Sequence, residues 1–416
     1  MPKPVRLCKI LVLLIFWSVG SWAGEWINTT PLNTPRAGAA SVVWMGKIYV
    51  LGGKSLNNRV LNTVEVYNPL MGVWDTTSVP AFDHARYNAA AVVYRNKIYL
   101  IGGRDGDDVI DDVEVYDPVQ NSWDEAQDLH GAREGHVAVI LNGRIYVLGG
   151  QNEEHYMMGK IEWYDESKNK WMEDKNGMQQ PRVASLAVES YNELYMFGGY
   201  YFGLTRTFYT ARVQNDDLKW TKGPDLPEAR AYGVAIQKQD SIFLVGGETS
   251  EGVTAKVTVF DLTRNTYIQE APLNTPRSGL TGACLYDTLY AIGGYSENNI
   301  PLNTVEMYLP VSTGIPQSES PGLPRKAVLV SGYPNPFNGA ISLQISVKRV
   351  DFYTIALYNA LGKKIKTIYN GILTNGRHRF GWKGKDETGN DAGSGIYFLL
   401  VRSAHASASY KMVYLK

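Results

Sequence analysis

The chain has 416 residues, more than one ordinary core uses, and its 41 Lys and Arg balance 41 Asp and Glu. That balance argues against a nucleic-acid-binding protein, which needs a basic stripe to meet phosphates, and against a disordered acidic tail. Two cysteines exclude a disulfide-stapled scaffold or a cysteine-ligated zinc domain, while 44% hydrophobic residues suffice for a packed interior.

Residues 1–23 read as a secretory signal peptide. Lys3, Arg6 and Lys9 form a positive start, Ile10 to Trp17 is an unbroken apolar run, and Ser21 and Ala23 give a small-residue cleavage site. The run is shorter than the ~20 residues that a membrane span needs, so no transmembrane span is expected in the mature chain. Cys8 precedes the apolar run and does not mark a lipoprotein. Cleavage before Gly24 leaves 38 basic and 41 acidic residues, with Cys284 as the remaining cysteine.

A repeat fills the next two thirds of the sequence. Gly-Gly pairs begin at Gly52, Gly102, Gly149, Gly198, Gly246 and Gly293, at intervals of 50, 47, 49, 48 and 47 residues. Sixteen residues before each pair stands an arginine: Arg36, Arg86, Arg133, Arg182, Arg230 and Arg277. Three residues before each pair is an aromatic: Tyr49, Tyr99, Tyr146, Tyr195, Phe243 and Tyr290. After the pairs come Tyr67, Tyr116, Tyr164, Val213, Phe260 and Tyr308, then Trp74, Trp123, Trp171, Trp220 and Tyr267. Each unit reads as four short strands; in the second they are 89–94, 97–101, 112–116 and 122–125. Such a unit cannot bury both faces alone and must stack on its neighbours, with the Tyr and Trp landmarks as wedges.

These landmarks, over about residues 25–310, resemble the kelch repeat, and the resemblance implies an all-β, six-bladed β-propeller. The sixth unit has no aromatic where the others place their last one, whereas Trp26 stands alone ahead of the first. The segment 25–29 is therefore expected to supply the fourth strand of the last blade.

Residues 311–326, with three prolines and three serines, have linker composition. Residues 327–416 read as a separate small β-sandwich of immunoglobulin type, with strands at 341–347, 353–358, 364–369, 376–382, 395–402 and 409–415. Its phrases are Tyr333-Pro334-Asn335-Pro336-Phe337-Asn338, Tyr358-Asn359-Ala360-Leu361-Gly362, Gly395-Ile396-Tyr397-Phe398 and Lys411-Met412-Val413-Tyr414-Leu415-Lys416. They resemble the C-terminal sorting domain of the type IX secretion system. The stretch from Trp382 to Phe398 also resembles the immunoglobulin-like domain of flagellar hook-capping proteins. The sorting resemblance implies export to the medium or the outer-membrane surface of a Gram-negative bacterium, with the secretion machinery as a partner.

On the propeller, the loops joining second to third strands and those joining blades share one face. That face is expected to hold Lys54, Arg104, Gln151, Tyr200, Glu248 and Tyr295, which directly follow the glycine pairs. Arg86, Tyr87, Arg133, His136 and Tyr232 stand at the blade entrances. Cations, amides and tyrosines of this kind suit a glycan or protein ligand. A residue repeated in every blade is, by contrast, framework before it is ligand contact, which applies to the six arginines.

No catalytic, metal or cofactor set is expected. Asp105, Asp107, Asp108, Asp111 and Asp112 lack the EF-hand pattern, and no histidines form a zinc-binding pair. The kelch copper oxidases need a crosslinked cysteine and paired histidines, and a lone Cys284 does not match them. Six-bladed kelch proteins also include sialic-acid mutarotases or epimerases, so a sugar-active enzyme is the alternative to a binding protein, on fold analogy alone.

Overall fold

The structure, a computed structural model, describes residues 24–69, 71–215, 217–310, 328–348, 350–360, 362–374, 376–403 and 407–416. The stretches expected to be a signal peptide, 1–23, and a linker, 311–326, lie outside the described residues. The chain divides into two compact units.

The first unit is built from six four-stranded antiparallel sheets. Five take their strands in chain order, beginning at Ala40–Trp44, Ala90–Tyr94, Val137–Leu141, Leu186–Ser190 and Val234–Lys238. The sixth joins Thr281–Leu285, Thr288–Ile292 and Val305–Pro310 to the N-terminal strand Gly24–Thr29. Each first strand packs beside the first strands of the two adjacent sheets, and the sixth returns to the first, so the sheets form the closed ring of a β-propeller. Ser41 Oγ lies 2.6 Å from Thr281 Oγ1 across that last junction. In the second sheet the central strands Lys97–Arg104 and Val109–Asp117 run longer than the expected 97–101 and 112–116. They continue past the glycine pair through a register shift between Ile101 and Gly103.

Hydrophobic clusters join neighbouring sheets. Val64, Val66 and Leu51 of the first sheet pack on Ile98, Leu100 and Tyr116 of the second. Val113 of the second packs with Ile145, Val147 and Tyr164 of the third. The aromatic landmarks pair within sheets, with ring centroids 5.0–5.4 Å apart for Tyr67–Trp74, Tyr116–Trp123, Tyr164–Trp171 and Phe260–Tyr267. The tryptophans also stitch to the connection leading into their sheet. Trp123 Nε1 donates to the Pro80 carbonyl at 3.0 Å, and Trp171 Nε1 to that of Gln127 at 2.7 Å.

The N-terminal strand behaves as the sequence predicts. Trp26 faces Tyr308 in the ladder, their rings are 5.4 Å apart, and both are buried.

The glycine pairs are dictated by contact as much as by torsion. Both glycines of every pair have positive φ, and a Cβ on the first would stand 2.1–2.8 Å from the carbonyl oxygen of the next sheet's arginine. The second glycine donates its N–H to that same carbonyl at 2.8–2.9 Å. A side chain at the first position would drive adjacent sheets apart.

The second unit holds two sheets. One orders Val328–Tyr333, Ile341–Val347 and Gly376–Trp382; the other orders Lys364–Leu373, Asp351–Asn359, Gly395–Arg402 and Ser407–Tyr414. Their facing sides share one core around Leu343, Tyr353, Leu357, Trp382, Leu399 and Met412. The sequence phrases of this region are structural. Phe337 and Tyr414 pack beside Trp382, and Asn335 accepts the Val413 N–H at 2.8 Å and donates to the Lys411 carbonyl at 2.9 Å. Asn359 donates its N–H to the Lys363 carbonyl and accepts from Gly362 and Lys363, and Gly362 takes φ 78°.

Three substitutions test the ring closure and the glycine contacts by thermal or urea denaturation. Trp26→Ala is expected to cost about 3–5 kcal/mol, because it empties the junction that joins the chain's two distant strands; an unchanged transition refutes the closure. Gly198→Ala, at φ 57° with its Cβ 2.1 Å from the Arg230 oxygen, should destabilise far more than Gly72→Ala, at φ 67° with nothing within 4 Å. Equal losses would show that torsion alone demands the glycine.

Candidate functional site

A second set of hydrogen bonds fixes the mouth of the ring. Two residues after each landmark arginine stand Gly38, Asn88, Gly135, Ala184, Tyr232 and Gly279, all with φ between 54° and 61°. Each donates its N–H to the carbonyl of its counterpart in the preceding sheet, at 2.7–3.0 Å, and Gly38 closes the circle onto Gly279. This circle of six main-chain bonds encloses the axis at the loop face. Outside it, short bridges pair Ala37 with Lys54, Tyr87 with Arg104, Glu134 with Gln151, Val183 with Tyr200, Ala231 with Glu248 and Ser278 with Tyr295.

The residues following the glycine pairs therefore converge, one per sheet. Lys54 Nζ lies 5.1 Å from the Tyr87 ring centroid, a cation–π distance. The Tyr295 ring lies over Gly279 of the circle, 3.4 Å from where its Cβ would be. Burial raises the Tyr87, Tyr232 and Tyr295 phenols; Glu134 next raises Tyr87, Glu248 next raises Tyr232, and Tyr87 next raises Tyr295. These three tyrosines are half-buried and stay protonated donors at neutral pH.

One buried acid organises the rim between the second and third sheets. Glu134 accepts from Arg104 Nε at 3.0 Å, Asn88 Nδ2 at 2.9 Å and Gln151 Nε2 at 3.1 Å. Burial alone would lower Arg104, but Glu134 and then Glu153 carry it above its ordinary value. Arg104 and Gln151 are thus oriented by Glu134, a residue that its place beside the repeated Arg133 conceals in the sequence. Tyr200 also opens onto a cleft of about 510 Å³ with His155, Tyr156, Met157, Pro181, Tyr201 and Phe202. Tyr156 and Phe202 are largely exposed there, and Phe202 is held at φ 51°.

Three expected loop-face residues point elsewhere. Arg86 and Arg133 are 1% and 0% exposed, and their guanidinium groups lie within their own sheets. Nη1 of each donates to the first glycine's carbonyl, at 3.3 Å, and Nη2 to Glu114 or Glu162 at 2.5 Å. They are framework, like Arg36 with Glu65 and Arg277 with Glu306. The glutamate partner has a sequence signal: it stands two residues before the third-strand tyrosine in four units, at Glu65, Glu114, Glu162 and Glu306. His136 is buried between sheets, its Cε1 2.9 Å from where a Gly102 Cβ would be. Burial, then Arg133, lowers its pKa to about 3, so it is neutral and does not present itself to a ligand.

Cys284 is a free, half-buried thiol whose pKa burial raises. Among the described residues no group of three His, Cys, Asp or Glu is placed to hold a metal ion, and no helix is long and apolar enough to cross a membrane.

The family model for the KLHDC2/KLHL20/DRC7 Kelch-repeats domain matches residues 17–199 and 135–314. The chain belongs to the kelch-repeat family. Among curated kelch relatives, it is 29% identical over 212 residues to beta-scruin of Limulus polyphemus, covering 47% of this chain and 23% of that protein. It is 28% identical over 273 residues to Kelch-like protein 23 of Mus musculus, covering 63% of this chain and 46% of that one. The kelch chain thus spans less than half the length of either relative. A solved structure, described as "Structure of YjhT", superposes with a TM-score of 0.60 at 17% identity, over 68% of this chain and 97% of that one, and shows the fold alone. Residues 334–407 match the FlgD Ig-like domain, in accord with the two-sheet second unit.

Because His136 is neutral when folded and has an ordinary value near 6.5 when unfolded, its contribution is complete above pH ~6.5. It is lost as pH falls from there toward 3, at about 1.4 kcal/mol per unit. Between about pH 7 and 5, wild type should therefore lose about 2 kcal/mol more than His136→Gln in urea titrations. Parallel losses would refute the buried titration.

Proposed function

We propose that this kelch protein is an exported, six-bladed binding protein that takes a glycan at the axial mouth of its loop face. One observation carries the reading. Tyr232 stands on the circle of main-chain bonds, and Tyr87, Tyr295, Lys54, Glu248 and Tyr200 stand on the bridges around it, at positions where the repeat itself imposes no residue type. Phenol hydroxyls, an ammonium and a carboxylate around half-buried rings suit a polyhydroxylated ligand, which needs both donors and acceptors along with flat apolar surface. The neighbouring aromatic cleft of Tyr156, Tyr200 and Phe202 extends the same surface outward.

The leader 1–23 and the β-sandwich beyond the linker support export. The sandwich, in this reading, is a type IX sorting domain that engages the secretion machinery and delivers the protein to the medium or the outer-membrane surface of a Gram-negative cell. The first of the phrases that carry that resemblance is bonded to the last through Asn335, so the resemblance rests on residues that hold the folded sandwich together.

A glycan array probed with the mature chain tests the binding reading. Tyr232→Ala and Glu248→Gln are each expected to weaken the best glycan by about ten-fold with little change in melting temperature. Uniform absence of glycan binding, with capture of a protein partner at the same residues, would move the reading to a protein ligand. Secretion of a chain ending at residue 326 would overturn the sorting role.

A further inference from the structure

The six sheets serve as controls for one another, and the fifth departs from the rest. In four of them the landmark arginine meets a glutamate two residues before the third-strand tyrosine, with Nη2 to oxygen distances of 2.5–2.8 Å. Main-chain N–H groups of the connection two and three residues before the arginine complete the carboxylate's shell. Asn33 and Thr34 donate to Glu65, Asp83 and His84 to Glu114, and Asn274 and Thr275 to Glu306. The fourth sheet has Ala211 at the glutamate position, and there Gln180 Oε1 takes Arg182 Nη2 at 2.7 Å while Tyr209 covers the guanidinium at 5.3 Å.

In the fifth sheet the position is Thr258, in Val257-Thr258-Val259-Phe260, against Val64-Glu65-Val66-Tyr67 in the first. Arg230 is 2% exposed, as deep as its counterparts. Its Nη2 has the Thr258 hydroxyl at 3.2 Å, and its Nε, like that of Arg36 in the first sheet, has no hydrogen-bond partner among the described residues, so the missing carboxylate is what sets it apart. The nearest carboxylate, Glu228, is 3.9 Å away and is engaged by Lys256 Nζ at 3.0 and 3.1 Å. Glu251, 3.4 Å from Lys256, is largely exposed and contributes weakly. A buried guanidinium that meets a neutral hydroxyl where its sisters meet a carboxylate still favours an anion there.

The space for that anion exists. Arg230, Thr258, Lys256 and Glu228 line a cleft of about 490 Å³ with Gln269 and the two prolines Pro227 and Pro272. Pro227 stands three residues before Arg230, so it has no N–H to offer, and Lys256 is the second cation within reach. We infer that this cleft is a binding site for a small carboxylate-bearing ligand, whose carboxylate takes on Arg230 the place that glutamate holds in four other sheets. The site is distinct from the axial mouth and does not depend on the ligand proposed there.

The test titrates the mature chain with D-glucuronate, glutarate and D-glucose by calorimetry. Both carboxylates are expected to bind and glucose is not. Glucuronate binding tighter than glutarate assigns an acidic sugar as the source, and the reverse order assigns an acid of the simple carboxylic type. Thr258→Glu rebuilds the internal carboxylate, so it should raise the melting temperature and weaken carboxylate binding by at least about ten-fold. Thr258→Val should retain binding, and Glu228→Gln should tighten it by removing a like charge. Tyr232→Ala, which disables the axial mouth, should leave carboxylate binding unchanged. Failure of both carboxylates to bind, undiminished binding to Thr258→Glu, or loss of binding with a lower melting temperature in Glu228→Gln would overturn the proposal. The last outcome would mean that Glu228 already neutralises Arg230.

Discussion

The contact on which the ring depends is an arginine carbonyl pressed against a glycine of the preceding sheet. That carbonyl accepts an N–H from the second glycine of the pair while the first glycine leaves it room. The same arginine turns its side chain back along its own sheet, where Nη1 holds a glycine carbonyl, or in the fifth sheet that of Leu244. One residue therefore ties its sheet internally through the guanidinium and to its neighbour through the main chain. Burying the charge is costly, and in four sheets a buried glutamate offsets the cost with short, charge-assisted bonds. The periodic residues are the ones this arrangement cannot do without.

Framework and variable positions interleave along the same few residues, which is why the loop face can differ between kelch proteins without loosening the ring. The main-chain circle at positions 38, 88, 135, 184, 232 and 279 is made by N–H and C=O groups that every residue type except proline has. Its side chains are free to vary within the limits of positive φ. Tyr232 is the conspicuous case: a bulky residue held at φ 55°, in a region that bulky side chains seldom adopt. Holding a phenol there consumes some stability, and the circle of bonds around it supplies the restraint.

Much of the fold is legible in the sequence because its demands recur every 47 to 50 residues. Gly52, Arg36, Tyr67 and Trp74 each announce a constraint that five other units repeat, and the displaced Trp26 announces the borrowed strand. The candidate site is legible only in part. Lys54, Tyr200, Glu248 and Tyr295 follow an unmistakable landmark, so their place on one face can be read directly. Arg86 and Arg133 belong to the arginine series that recurs in every unit, and that recurrence marks the framework role they play. His136 has the chemistry of a ligand contact, but whether it faces a ligand or the neighbouring sheet lies in side-chain direction, which spacing does not encode. Glu134 is hidden for the opposite reason: nothing periodic marks it, and its role arises from Asn88, Arg104 and Gln151, three residues that only the closed ring assembles. In the second unit, the phrases that suggest an export tag are also those that build the core, so Phe337, Tyr397 and Tyr414 speak for a fold before they speak for an address.

The ladder that joins the first and last strands of the ring has a consequence in time. Residues 24–29 find their partners at 305–310, so the ladder between them closes across the longest sequence separation in the ring. Five sheets can assemble as the chain emerges, each from neighbours within about fifty residues, but the sixth waits for the last of them. Until then Gly24–Thr29 has no partner strand and Trp26 has no wall to pack on, which is the state in which an unpaired strand recruits foreign ones. Such a late fastening leaves the ring open until its final strand arrives, whatever the other five sheets have already formed.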